Sequence, residues 1–135
     1  MSNDQPVGIV LVSHSKEVAA ATVELANALA GGTAVPVAPA GGTADGRFGT
    51  SSELVVAAAA SVDRGSGVAV LVDLGSAVLT VKALLAEGDE LPHGTRLLDA
   101  PFLEGAVAAV VTASAGGDLD AVQAAASEAY DYRKV

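Results

Sequence analysis

Cysteine and tryptophan are absent from the 135 residues, and two phenylalanines and two tyrosines are all that represent the aromatic class. Without cysteine there are no disulfides, no thiolate metal sites and no cysteine nucleophile, as in chains that work in a reducing compartment. With so few aromatics, the 51% hydrophobic content must build its core from alanine, valine and leucine, so helices are expected to pack close to a sheet. Positive charge is scarce too: seven Lys and Arg face sixteen Asp and Glu, a formal charge of -9. That balance repels a phosphate backbone or an anionic bilayer, so neither nucleic acid nor membrane insertion is expected. It suits docking to basic patches on other proteins, or serves solubility alone. No apolar run is long enough to span a membrane. Met1 to Pro6 is short, polar and without a basic region, which predicts no secretory leader and hence a cytoplasmic location.

The length fits one domain, residues 1–135. Val7 to Ser13 is continuously apolar, the pattern of a strand covered on both faces. From Lys16 the spacing turns helical, with Val18, Ala21, Leu25 and Leu29 on one stripe, Ser15 as N-cap, Glu17 in the first turn and Gly31-Gly32 as the stop. Ala34 to Ala38 reads as a short strand, placed at a sheet edge by Pro36 and Pro39. A glycine-rich loop, Ala40 to Gly49, ends in a capping-box pattern, Thr50-Ser51-Ser52-Glu53, before a helix Leu54 to Val62. Val68 to Asp73 reads as a second buried strand and Ala77 to Ala86 as its helix; Thr95 to Leu98 reads as a fourth strand. Helices over Leu103 to Ala113 and, capped by Asp118, over Leu119 to Tyr130 complete the chain. Strands alternating with helices predict an α/β fold: an open, mainly parallel four-stranded sheet with helices on both faces.

In such folds ligands bind beyond the carboxyl ends of the strands. Three polar segments land there: Ser13-His14-Ser15, Gly49-Thr50, and Asp73-Leu74-Gly75-Ser76. A neutral imidazole is a nucleophile near pH 7, given a reference pKa of about 6.5, and attack on phosphorus yields a phosphoramidate that is readily passed on. An aspartate on one ring nitrogen fixes the tautomer and stabilises the charge that develops as the other nitrogen attacks. Helix N-termini after Ser15, Thr50 and Ser76 supply amides for an anion. Nothing in this arrangement requires a metal. Taken singly, each residue has a plainer reading: His14 as a loop or cap residue in a non-catalytic interaction domain, Ser13 and Ser15 as strand-end and cap, Asp73 as a turn former, Thr50 as a cap. His93 falls before a strand, on the opposite sheet edge. The glycines of AGGTADGRFGT do not spell a Walker loop, no G-x-G-x-x-G follows the first strand, and there is no G-x-S-x-G elbow.

VSHS, FGT, LVDLGSA and DAPFLEGA together, over essentially the whole chain, resemble the phosphotransferase subunit of the phosphoenolpyruvate-dependent dihydroxyacetone kinase, a domain of the mannose-class enzyme IIA group. The resemblance implies that His14 accepts a phosphoryl group from the carrier protein HPr and passes it to ADP held on the nucleotide-binding subunit of the kinase. It implies Asp73 as the carboxylate on the imidazole, Nε2 as the phosphorylated nitrogen and a homodimer. Ser13, Ser15, Gly49, Thr50, Gly75 and Ser76 are the candidate phosphate contacts. The phosphoryl group on histidine is the only carried group, with no tightly bound cofactor. Some relatives continue into HPr-like and enzyme I-like domains, which this chain is expected to meet as separate proteins. A mannose-class transporter component, passing phosphate to an enzyme IIB partner, is the alternative outlet.

Overall fold

A computed structural model describes residues 5–32 and 34–135; Met1 to Asp4, most of the stretch read as leaderless, lie outside the described residues. Gly8–Ser13 forms β1, buried at every position. There follow α1 (Lys16–Leu29), β2 (Val37–Gly41), α2 (Ser52–Val62), β3 (Val68–Val72), α3 (Gly75–Glu87), β4 (Thr95–Leu97), α4 (Phe102–Ser114) and α5 (Leu119–Glu128), which closes in a 3₁₀ turn at Ala129–Asp131. All strand pairs are parallel and the order is β2-β1-β3-β4, the α/β architecture that the alternation of patterns predicts.

Side chains alternating along β1 and β3 divide the core in two. Ile9, Leu11 and Leu71 point toward α1, α4 and α5, where Ala106, Val110 and Val122 meet them. Val10, Val12 and Val70 point the other way, onto Val55 and Ala59 of α2 and Val81 of α3. Continuous apolar runs are therefore required in the two central strands, since each residue faces one core or the other.

The α1 face differs from the expected stripe. Ala19, Thr22 and Ala26 are buried against the sheet, whereas Val18, Leu25 and Leu29 are 46%, 42% and 60% exposed. Close approach explains the inversion. A Cβ on Gly41 would stand 2.6 Å from the Ser15 carbonyl oxygen and 2.8 Å from the Ala19 Cβ, so only small side chains fit beneath the helix. The bulk is supplied from the strand side, and the leucines of α1 turn outward.

Strand β2 begins three residues later than expected. Pro36 lies before it, its carbonyl accepting from the Ile9 amide, and Pro39 lies within it opposite Leu11. Residues 36 and 42 bond to β1, so the intervening odd positions face away and the missing N–H of Pro39 falls on the outer edge. The N-cap of α2 is Ser51, whose hydroxyl accepts from the Leu54 amide, and not Thr50. Ser15 and Asp118 cap α1 and α5 as the sequence pattern predicts.

Leu11→Ala, in the buried centre of β1, is expected to lower stability by about 2–5 kcal/mol. Ala26→Leu, a change that the sequence-derived stripe would leave exposed, is expected to cost about 1–3 kcal/mol through overpacking. Leu79→Ala, at a 69% exposed position, should stay within about 0.5 kcal/mol. Urea midpoints with unchanged slopes check all three.

Candidate functional site

β1 and β3 are neighbours at the centre of the sheet, and the helices that follow them leave toward opposite faces. The carboxyl ends of two such strands bound a crevice, and His14 and Asp73 stand there, one residue beyond each strand. His14 Nδ1 is 2.9 Å from Asp73 Oδ1, and the two side chains are 24% and 17% exposed.

Four donors converge on the Asp73 carboxylate. Oδ2 accepts from the Ser13 hydroxyl at 2.9 Å and the His14 amide at 3.0 Å. Oδ1 accepts from the imidazole Nδ1 at 2.9 Å and the Leu74 amide at 2.7 Å. An ionised carboxylate has about four acceptor positions, so this one is saturated and its orientation fixed. Burial pushes the Asp73 pKa up, but the His14 amide, the imidazole and the Ser13 hydroxyl outweigh it and hold the group below its ordinary 3.8.

An acceptor-only carboxylate on Nδ1 requires that nitrogen to carry the proton, which leaves the lone pair on Nε2. Nε2 faces the Ser76 hydroxyl at 2.5 Å, which then donates to it. Gly75 and Ser76 form the first turn of α3, where amides have no carbonyl inside the helix to bond, and Leu74 at the N-cap provides no side-chain acceptor. The arrangement is a directed, partly exposed nucleophilic nitrogen with a carboxylate behind it, a hydroxyl on it and free amides beside it. Such a site suits attack on, and retention of, a phosphoryl group.

The remaining expected residues take differing places. Ser13 is fully buried; its hydroxyl accepts from the Ser15 amide while donating to Asp73, so it braces the carboxylate and does not line the open side of the site. Ser15 caps α1, accepting from the Val18 amide. Gly49 has φ of +142°, a conformation that side chains rarely adopt, and its amide donates to the His14 carbonyl at 2.9 Å, pinning the second loop to the histidine. Thr50, released from capping, hydrogen-bonds the hydroxyl of Thr80 at 2.9 Å. Thr80 in turn lies one turn beyond Ser76 in α3, and the sequence reading missed it. A threonine four residues after Ser76 was the available signal, because that spacing shares a helix face. Arg47 pairs with Asp45 at 3.4 Å on the exposed loop, and His93 precedes Gly94, whose carbonyl meets the amino end of β3.

DAPFLEGA acts structurally. The Asp99 carbonyl accepts from the Ser127 hydroxyl and its carboxylate from the Tyr130 hydroxyl, both at 2.8 Å, which ties the end of α5 to the end of β4. Gly105 lets α4 approach Ala100 and Leu71, where a Cβ would stand 2.9 and 3.1 Å away.

A family profile described as PTS system fructose IIA component, EIIA-man, matches residues 8–123. Phosphoryl donor subunit DhaM of PEP-dependent dihydroxyacetone kinase 2 from Listeria innocua is 36% identical over 106 residues, 78% of this chain and 84% of that protein. The DhaM phosphoryl donor subunit of Escherichia coli is 36% identical over 119 residues, 86% of this chain but 25% of that longer protein. Among solved structures, the crystal structure of the unknown function protein EF1359 superposes with a TM-score of 0.77 at 29% identity, covering 91% of this chain and 94% of the other.

Because the folded-state pKa of Asp73 is depressed, the stability that its ionised form contributes is fully present above the unfolded value and is lost as pH falls through the folded one. Asp73→Asn is expected to flatten that part of the pH–stability curve below about pH 4. Urea unfolding of both proteins across that range checks the difference.

Proposed function

The chain belongs to the PTS system fructose IIA component family, and from that premise we propose that it is a phosphoryl donor subunit of a dihydroxyacetone kinase with His14 as the carrier residue. The observation that carries the reading is the polarised imidazole: Nδ1–H directed at a saturated carboxylate, Nε2 directed at Ser76 and the start of α3. The Listeria and Escherichia coli relatives, both phosphoryl donor subunits, support the choice of pathway.

In the proposed cycle, Nε2 attacks the phosphorus of phosphohistidine on HPr; the donor's P–N bond breaks as the new one forms. Asp73 stabilises the positive charge that builds on the His14 ring, and the Nδ1 proton stays in its hydrogen bond. Ser76 turns from Nε2 to the phosphoryl oxygens, joined by the amides of Gly75 and Ser76. Thr50, held by Thr80, borders the same helix start. The second transfer reverses these changes, with the terminal phosphate of ADP on the nucleotide-binding subunit as acceptor. Positioning and electrostatics provide the catalysis, and the imidazole itself carries the group, so the cycle uses no metal or tightly bound cofactor on this chain. A cytoplasmic site of action accompanies this reading; no helix among the described residues is long and apolar enough to cross a membrane.

Incubation with phosphoenolpyruvate, enzyme I and HPr should place an acid-labile, base-stable phosphate on the wild type and none on His14→Ala. Phosphorus NMR of the adduct should report Nε2. The ADP-loaded kinase subunit should then discharge it; discharge to an enzyme IIB protein instead would make the chain a transporter component. Dihydroxyacetone phosphorylation undiminished by His14→Ala would reduce it to an interaction domain.

The implied homodimer has a fitting surface in the outward ridge of α1, where Val18, Leu25 and Leu29 lie beside the small Ala21. Two such ridges packed against each other would bury what the sheet does not. Leu25→Asp should then sediment as a monomer at concentrations where the wild type is dimeric, and a wild-type monomer would overturn the assignment.

A further inference from the structure

Each side-chain proton at the site has a fixed place. The imidazole Nδ1 proton lies on Asp73 Oδ1 and the Ser13 hydroxyl proton on Oδ2, while the Ser76 hydroxyl donates to Nε2. Asp73 itself carries none. Burial pushes its pKa up, yet the His14 amide, the imidazole and the Ser13 hydroxyl keep it below the ordinary carboxylate value, with every acceptor position filled. Tyr130 and Lys82 line a cavity of about 480 Å³ beside Asp73, but neither His14 nor Ser76 borders it, and the Tyr130 hydroxyl donates to Asp99. His93, the second of the chain's two histidines, lies at the amino end of the sheet, next to Gly94, whose carbonyl accepts from the Val68 amide. Among the described residues, Ser76 is thus the one hydrogen-bond partner of Nε2, and an alcohol is no acid near neutral pH.

That inventory bears on the donor. Transfer to Nε2 expels a leaving group from phosphorus, and a leaving group that must be protonated needs a general acid beside it. An ester oxygen is of that kind. A carboxylate, whose conjugate acid has a pKa of about 4, departs as it is. The site is also open to a small molecule: the His14 side chain is 24% exposed, and Gly75 and Ser76, whose amides begin α3, are exposed beside it.

We propose that His14 is also charged directly by small acyl phosphates, without a protein donor. Nε2 forms its bond to phosphorus as the bond between phosphorus and the acyl oxygen breaks. The electron pair leaves with the carboxylate, and no proton moves, since Nδ1–H stays on Asp73. The phosphoryl oxygens are received by the Gly75 and Ser76 amides and by the Ser76 hydroxyl as it turns from Nε2. The inference rests on His14 as the carrier residue and adds a second class of donor to it.

Acetyl phosphate is the probe, and phenyl phosphate, with a leaving phenol of pKa about 10, is its control. Acetyl phosphate should give the wild type an Nε2 phosphorus resonance and an acid-labile, base-stable phosphate, and His14→Ala neither. Labelling should be slower by about 100-fold or more with phenyl phosphate. It should fall by about as much for the chain unfolded in urea, where no carboxylate or amide is directed at the ring. Comparable rates with the two donors would reveal a proton donor at the site and overturn the proposal. Label retained by His14→Ala, or equal labelling of folded and unfolded chain, would overturn it too. Failure of the phosphocarrier reading is distinct: label from acetyl phosphate with none from phospho-HPr removes that reading and leaves this one. Label from phospho-HPr alone does the reverse, and label from neither ends both.

Discussion

The saturated carboxylate of Asp73 is the interaction on which the site depends. Its four donors come from Ser13, His14 twice and Leu74, so one side chain fastens the end of β1, the imidazole and the start of α3 together. The ring tautomer, the direction of Nε2 and the entry angle of α3 follow from that one anchor. The negative charge is tolerated in a part-buried position because each oxygen has two donors, and no counter-cation is needed to hold it. A group fixed in this way needs no reorganisation when charge develops on the ring, which is the condition for electrostatic catalysis.

The fold was legible in the sequence wherever one physical requirement dominated. Continuous apolar runs at Val7 to Ser13 and Val68 to Asp73 could only be central parallel strands, and glycine stops and caps marked most helix ends. Reading failed where two requirements competed. The stripe of α1 was assigned by hydrophobicity, but clearance above the sheet decided it, and Ala19 and Ala26 won over Val18 and Leu25. Thr50 and Ser51 were equivalent as caps on pattern, and backbone geometry at the loop end selected Ser51.

The candidate site shows the same division. His14 and Asp73 were legible because a polar residue at the end of a buried strand is conspicuous. The roles of the hydroxyls were not, since a hydrogen-bond partner 60 residues away leaves no local trace: Ser13 turned out to face Asp73. Thr80 was hidden for a related reason, its relevance arising only once Thr50 is brought to α3 by the crossover through α2. Sequence periodicity names faces, and tertiary contact assigns their duties.

The pairing of β1 with β3 has a consequence for how the protein comes into being. His14 and Asp73 are 59 residues apart, and what joins them is a parallel strand pair closed across an intervening helix, strand and helix. While β3 is still unmade on the ribosome, β1 has only β2 to pair with, and His14 at its end lacks the Asp73 carboxylate that fixes its tautomer and direction. The directed imidazole therefore arrives only with the closing of the β1–β3 pair.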